Sequence, residues 1–457
     1  MITKTRKKPR LRSSSLNSEN NQASCYIVHP VLPSGKSSKS VTRGLDSILE
    51  EIRGLAYAID LEILDLRVAK VTKIQAGAFL GKGQREVIGE DVKTLKPDVV
   101  IVNYTLSPVQ QRNLEKEWQV KVIDRTGLIL EIFSARAQTK EGTLQVRMAA
   151  LEYQRSRLVR SWTHLERQRG GAGFLGGPGE KQMELDRRML EEKIIRLKKE
   201  LEEVRRTRDL ARKSRERVPF PVVALVGYTN AGKSTLFNKI AGADVFAKDL
   251  LFATLDPTMR RLKLPNGQQA ILSDTVGFIS DLPTHLVAAF RATLEQIAYA
   301  DVIVHVIDSS RPDFEAQKQD VIDILKDLGI DYETDERIVE AYNKIDALDQ
   351  DSLEEFQRQT RFIPNMVLVS ALTGDGLKDF SNFVTRIVSA HHKHVKFQMP
   401  STDGKALSWL YEHSQIIARK DTGEKISVSV MIDPADLGKF TDRYGYKADF
   451  ADKKKRK

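Results

Sequence analysis

Gly227-Tyr228-Thr229-Asn230-Ala231-Gly232-Lys233-Ser234 limits what this chain can fold into more than any other stretch. It follows the apolar run Val222–Val226 and leads through Thr235 into Leu236-Phe237-Asn238-Lys239-Ile240, which reads as an opening helix. Strand, glycine loop and helix in that order make a Gly-x-x-x-x-Gly-Lys-Ser pattern a phosphate site. The two glycines let backbone N–H groups curl around an anion, and the helix points its positive end at the same anion. Lys233 supplies a point charge for β- and γ-phosphates, and Ser234 a hydroxyl for Mg2+. The fold expected around such a loop is α/β, a doubly wound and mostly parallel sheet.

At 457 residues the chain exceeds one ordinary core, so about three domains are expected. No apolar run approaches the roughly 18 residues that a membrane span needs, and the basic N-terminus lacks the apolar segment of a secretory signal. The single cysteine, Cys25, excludes an intrachain disulfide framework and fits a reducing cytoplasm. Net charge is +11, but it is segregated: +8 in residues 1–44, +8 in 144–218, +5 in the last five residues, and −9 across 221–390. A polyanion-binding arm beside an acidic engine has that distribution. A pair of solvated charged helices has it too.

Residues 1–44 read as a basic disordered tail and 448–457 as a basic tail. Residues 45–143 read as a small α/β domain. Ser47–Ala56 has helical spacing, Leu61–Val68, Pro97–Asn103 and Val120–Asp124 read as strands, and Ser107-Pro108 begins a helix with a capping serine and a first-turn proline. Residues 144–218 read as an antiparallel helical hairpin. Leu190, Ile194, Leu197, Leu201 and Val204 keep the 4-3-4-3 spacing of a coiled-coil seam, and Leu144, Met148, Leu151, Leu158, Trp162 and Leu165 face them. Its tip, residues 170–179, is rich in glycine and longer than a helical turn requires. Arg167, Arg169, Phe174, Lys181, Arg187 and Arg188 place cations and an aromatic ring there, which suits irregular RNA; a plain hinge is the competing reading.

Residues 219–392 read as a nucleotide domain, because four later stretches complete the first. Asp274-Thr275-Val276-Gly277 ends an apolar run, where a carboxylate can stand behind Mg2+ and a glycine admits the γ-phosphate. Asn343-Lys344-Ile345-Asp346 closes another. Asp346 can accept both guanine N–H donors, a pair that adenine lacks, and Asn343 can tie this loop to the phosphate loop. Ser370-Ala371-Leu372 would cover the base. Phe252-Ala253-Thr254-Leu255-Asp256 offers Thr254 as a second Mg2+ ligand, with Thr258 as its competitor. Lys233, Thr254, Asp274 and Gly277 are the catalytic candidates. Phe278 stands where many small GTPases place a water-orienting glutamine, so slow intrinsic hydrolysis is expected. Asn230 is a candidate ligand for K+.

Phe252–Asp256, Asp274-Thr275-Val276-Gly277-Phe278-Ile279, Val287–Glu295, Ser107–Glu115, Asp124-Arg125-Thr126, Trp162–Gln168 and Gly176–Arg188 together resemble bacterial HflX GTPases, with Lys181 departing from an expected threonine. The resemblance implies a small α+β domain at 400–447, within which Ala406–Ile417 reads as a helix and Ile426–Ile432 alternates like a strand. It also implies a monomeric cytoplasmic GTPase, with peripheral membrane association an open question. The implied partner is the large ribosomal subunit, where the hairpin reaches 23S rRNA near the peptidyl-transferase region and stalled ribosomes are split or rescued under stress. The competing roles are ribosome assembly, as in Obg-type GTPases, tRNA modification, as in MnmE-type GTPases, and a purely regulatory binding module.

Overall fold

A computed structural model of the chain describes residues 22–32, 43–168, 178–215, 220–242, 251–252, 255, 257–280, 294, 297–363, 365–391, 393–432 and 434–450. The first sheet is parallel and four-stranded, in the order β2-β1-β3-β4, built from β1 (Ser24–Val31), β2 (Glu62–Lys70), β3 (Val99–Val102) and β4 (Lys121–Asp124). Strand β3 is Val-Val-Ile-Val and wholly buried, as a strand covered on both faces must be. One face is covered by α1 (Leu45–Tyr57) and α4 (Arg125–Arg136), the other by α2 (Lys82–Leu95) and α3 (Pro108–Trp118). Ser107 and Gln110 close a capping box on α3, and Asp124 caps α4 through the Gly127 N–H.

Strand β1 corrects the reading of residues 1–44 as a disordered tail. Tyr26, Ile27 and Val28 form a buried interior strand whose apolar run is short and masked by the Ser/Lys-rich sequence around it.

The arm consists of α5 (Lys140–Gln168) and α6 (Pro178–Arg215). Ile194 and Leu201 are buried on the expected seam of α6, and Leu144 is buried on α5. Arg187 pairs with Glu191 on the exposed surface of α6, and Arg188 is also exposed. Arg169 and Phe174 lie outside the described residues, as do the side chains of Arg167 and Lys181.

The nucleotide-type sheet has six strands in the order β10-β9-β8-β5-β7-β6. They are β5 (Val222–Gly227), β6 (Thr258–Lys263), β7 (Gln269–Asp274), β8 (Val302–Asp308), β9 (Ile338–Asn343) and β10 (Met366–Leu368). Only β6 runs antiparallel, against β7. Helices α7 (Lys233–Ala241) and α10 (Leu377–His391) cover one face. On the other lies α8 (Phe314–Asp327), and α9 (Gln350–Gln359) follows β9 in sequence.

The last unit is an antiparallel sheet, β12-β13-β11-β14, formed by β11 (Lys393–Pro400), β12 (Gln415–Asp421), β13 (Lys425–Ile432) and β14 (Asp449–Phe450). Helices α11 (Gly404–His413) and α12 (Pro434–Tyr444) pack on it. It starts at 393 and reaches 450, beyond both expected bounds. The expected helix to Ile417 stops at His413, because Gln415-Ile416 already pair with β13.

Candidate functional site

The described elements of the nucleotide motif converge at the C-terminal ends of β5, β7, β9 and β10, where ligands bind in open α/β sheets. The phosphate loop leaves β5 and enters α7 through Gly232, whose φ of +89° is left-handed. A Cβ there would stand 2.2 Å from Asn343 Nδ2, so glycine is required on steric grounds as well. Lys233 is buried and donates to the Gly227 and Tyr228 carbonyls at 3.1 and 2.7 Å. Burial pushes its pKa down to about 8, against the pull of nearby Asp274. An ammonium that burial has stripped of water gains from an anion placed beside it.

Ser234 Oγ donates to Asp274 Oδ2 at 2.7 Å. A hydroxyl held by a carboxylate is a hard oxygen donor of the kind that suits Mg2+, whose usual shell is completed by phosphate oxygens and water. The residues present therefore fit the ion. Thr258 lies opposite Asp274 in the β6–β7 register. Thr254, the preferred switch hydroxyl, lies outside the described residues, as do Ala253 and Asp256.

Asn343 does what its position suggested. Its Nδ2 donates to Ala231 O at 2.9 Å, and its Oδ1 accepts from Ala371 N at 2.9 Å, joining phosphate loop, base loop and cap. Ser370 Oγ donates to Asp346 Oδ1 at 2.5 Å, orienting the carboxylate that would read guanine. Ile345 and Asp346 lie in a single tight turn, Ile345–Ala347. Leu372 is 71 % exposed, an apolar side chain open to a base.

Several contributors were not visible in the sequence. Asp308 holds the Lys344 ammonium at 2.7 Å, and Ser309 Oγ donates to the Asn343 carbonyl at 2.7 Å. The larger omission is a buried polar cluster between the first sheet and the phosphate loop. Glu51, on α1, accepts from Tyr228 of the loop, from Arg125, from Arg43 at 2.9 Å and from Ser280 Oγ at 3.1 Å. Tyr228 in turn accepts from the Ser280 N–H at 2.8 Å, and Arg43 bonds Asp313 at 2.9 Å. Burial pushes the Glu51 carboxyl up, but the two guanidinium groups outweigh it and hold it below the usual carboxylate range.

Switch-segment residues Phe278 and Ile279 are buried in the same apolar cluster as Ile52 and Leu55 of α1 and Leu128 and Phe133 of α4. Phe252 packs edge-on against Phe133 at 4.7 Å. Phe278 is thus part of an interdomain core as well as a missing glutamine. Its backbone pairs with the phosphate loop: Thr229 N–H donates to Phe278 O at 2.7 Å, and Phe278 N–H to Gly227 O at 3.1 Å.

A doubly wound sheet with a phosphate loop, a carboxylate beside its serine and an Asn-Lys-x-Asp base loop defines a P-loop GTPase, a GTP hydrolase. Sequence profiles narrow the class. Residues 46–134 match the GTP-binding GTPase N-terminal domain and 136–215 the GTP-binding GTPase middle region. Residues 222–344 match the 50S ribosome-binding GTPase domain and 355–449 the HflX C-terminal domain. The chain is 45 % identical to GTPase HflX of Magnetococcus marinus over 406 residues, covering 88 % of this chain and 93 % of that protein. It is 42 % identical to GTPase HflX of Escherichia coli, covering 84 % and 89 %. It belongs to the HflX family. Among solved structures, a GTP-binding protein from Sulfolobus solfataricus in complex with GDP matches at 22 % identity and a TM-score of 0.42, covering 80 % of this chain and 99 % of that one.

Proposed function

We propose that this chain is a cytoplasmic, monomeric, Mg2+-dependent GTPase that docks on the large (50S) ribosomal subunit and splits or rescues stalled ribosomes under stress. Ribosome contact would stimulate its hydrolysis. The observation that carries this reading is a physical link between the basic arm and the nucleotide loop. On α5, Tyr153 donates to Asp124 Oδ1 at 2.5 Å and Arg157 to Asp124 Oδ2 at 3.2 Å. The next residue, Arg125, donates to Glu51 and to the Ser280 carbonyl at 3.0 Å. A shift of the arm on RNA is therefore two side chains away from the switch segment. Arg167, Arg169, Phe174, Lys181, Arg187 and Arg188 are the proposed RNA contacts.

In the proposed site the phosphate loop, residues 227–235, and Lys233 hold the phosphates while Ser234 and Thr254 would hold Mg2+. When bound, the ion neutralises charge developing on the β- and γ-oxygens. Asp274 orients Ser234, Gly277 meets the γ-phosphate with backbone, and Asn343, Lys344, Asp346 and the Ser370–Leu372 cap select guanine. Phe278 cannot orient water, so the free protein hydrolyses slowly and the ribosome completes the site. Asn230, exposed and left-handed with a φ of 60°, is the proposed K+ ligand; equal hydrolysis in K+ and Na+ would remove that assignment. Among the described residues no helix is long and apolar enough to cross a membrane.

The test is gradient sedimentation of 70S ribosomes with the full chain and a non-hydrolysable GTP analogue. Conversion to subunits with the chain on the 50S peak supports splitting. Binding to 50S with 70S left intact supports assembly instead, and binding to neither overturns the ribosomal role.

A further inference from the structure

Thr229 is the third residue of the phosphate loop. It is 5 % exposed, and its hydroxyl is buried without a hydrogen-bond partner. Leaving a buried hydroxyl unmet is costly, so such a group in a folded site asks for an explanation. Three other hydroxyls of the site are engaged, while Thr258 Oγ1, on the residue opposite Asp274, is likewise buried without a hydrogen-bond partner. Ser234 Oγ bonds Asp274, Thr275 Oγ1 donates to the Leu225 carbonyl at 2.6 Å, and Ser280 Oγ donates to Glu51.

The surroundings say what the free hydroxyl would meet. A methyl built on Gly277 would stand 2.8 Å from Thr229 Cγ2, 3.0 Å from Thr229 Cα and 3.1 Å from Lys233 Nζ. The Thr229 methyl group, the Lys233 ammonium and the switch glycine thus surround one point. In phosphoryl transfer the lysine belongs at the β- and γ-phosphates, so that point borders the γ-phosphate. The bond from Thr229 N–H to Phe278 O fixes the threonine backbone, leaving its side chain as the adjustable donor.

We propose that Thr229 is a further catalytic residue, its hydroxyl donating a hydrogen bond to a γ-phosphate oxygen and strengthening in the transition state. Water oxygen forms the new bond to the γ-phosphorus, the bond to the β–γ bridging oxygen breaks with its electron pair leaving on GDP, and the water proton passes to the phosphate product. Thr229 keeps its own proton. This donor supplies part of the stabilisation that Phe278 cannot. The proposal deepens the GTP-site reading and rests on it.

The experiment compares Thr229→Val and Thr229→Ser in the full chain, measuring kcat and KM for GTP and Kd for GDP. The isosteric valine is expected to lower kcat about 100–1,000-fold, the cost of one oxyanion donor, with KM and the GDP Kd changing far less. Serine, which keeps the hydroxyl and drops the methyl, is expected to retain wild-type kcat. A valine variant with wild-type kcat overturns the proposal. So does a serine variant that falls as far as valine, because packing on Gly277 would then carry the effect. Should valine also lose GDP, Thr229→Ala takes its place in the same comparison. Failure of the wild-type chain to bind GDP or GTP would sink the GTP-site reading instead.

Discussion

The Tyr228 hydroxyl of the phosphate loop donates to the carboxylate of Glu51, a residue 177 positions earlier on a helix of another sheet. Glu51 also compensates two buried guanidinium groups, Arg43 and Arg125. Removing one partner of a buried ion cluster costs far more than the cluster contributes over a hydrophobic replacement. Glu51→Gln is therefore expected to lower unfolding free energy by about 3 kcal/mol, read by denaturant titration at pH 7. The pH dependence has a definite sign. The folded carboxyl titrates below its unfolded value of 4.5, so its contribution is full above that pH and lost as pH falls through the lower folded value. The gap between wild type and variant should narrow only in that acid range. A gap that is already absent at pH 7 would show that the cluster does not hold the domains.

Tyr228→Phe removes the hydroxyl that receives the Ser280 N–H and Arg43 without removing a charge. A loss of about 1–3 kcal/mol is expected from the unmet buried donors. In a double-mutant cycle with Glu51→Gln, the coupling should reach about 0.5–3 kcal/mol, as for residues of one network. Strictly additive effects would separate the loop from α1.

In the proposed site guanine selection would rest on Asp346, which accepts from Ser370, beside a Lys344 anchored on Asp308. Asp346→Asn is expected to weaken GDP and favour xanthosine diphosphate, because an amide N–H can donate to the carbonyl that xanthine carries in place of the guanine amino group. Competition against a fluorescent nucleotide reads this directly. Unchanged GDP preference would remove Asp346 from the site.

A side chain at 277 has nowhere to go. The 2.8 Å approach of a Cβ to Thr229 Cγ2 means that Gly277→Ala must push the switch segment off the phosphate loop. GDP binding should survive, while GTP hydrolysis should fall by at least about tenfold. Equal loss of both would mean that the glycine serves folding rather than the γ-phosphate.

What the sequence disclosed follows from how local each signal is. The phosphate loop, the Asn-Lys-x-Asp loop and the helical seam of α6 are short patterns whose meaning is carried by neighbours in the chain, and they stand where those patterns place them. Glu51 was invisible because a glutamate on an amphipathic helix normally faces water; only a docked partner turns it inward. Arg43 lay in what composition marked as a tail, and β1 was hidden there for the same reason, since averages over 44 residues erase an eight-residue strand. Phe278 was legible as an absent glutamine but not as a core residue, because its packing partners come from α1 and α4.

The most direct measurement is the rate of GTP hydrolysis by the full chain, alone and with purified 50S subunits, for wild type and for the Tyr153→Phe/Arg157→Met double variant, which removes both bonds from the arm to Asp124. With 50S the wild-type rate is expected to rise by at least about a hundredfold, in the range that a completing partner supplies. The double variant should keep the unstimulated rate and lose most of that rise. An unchanged wild-type rate with 50S, or full stimulation of the variant, would contradict coupling between the arm and the phosphate loop.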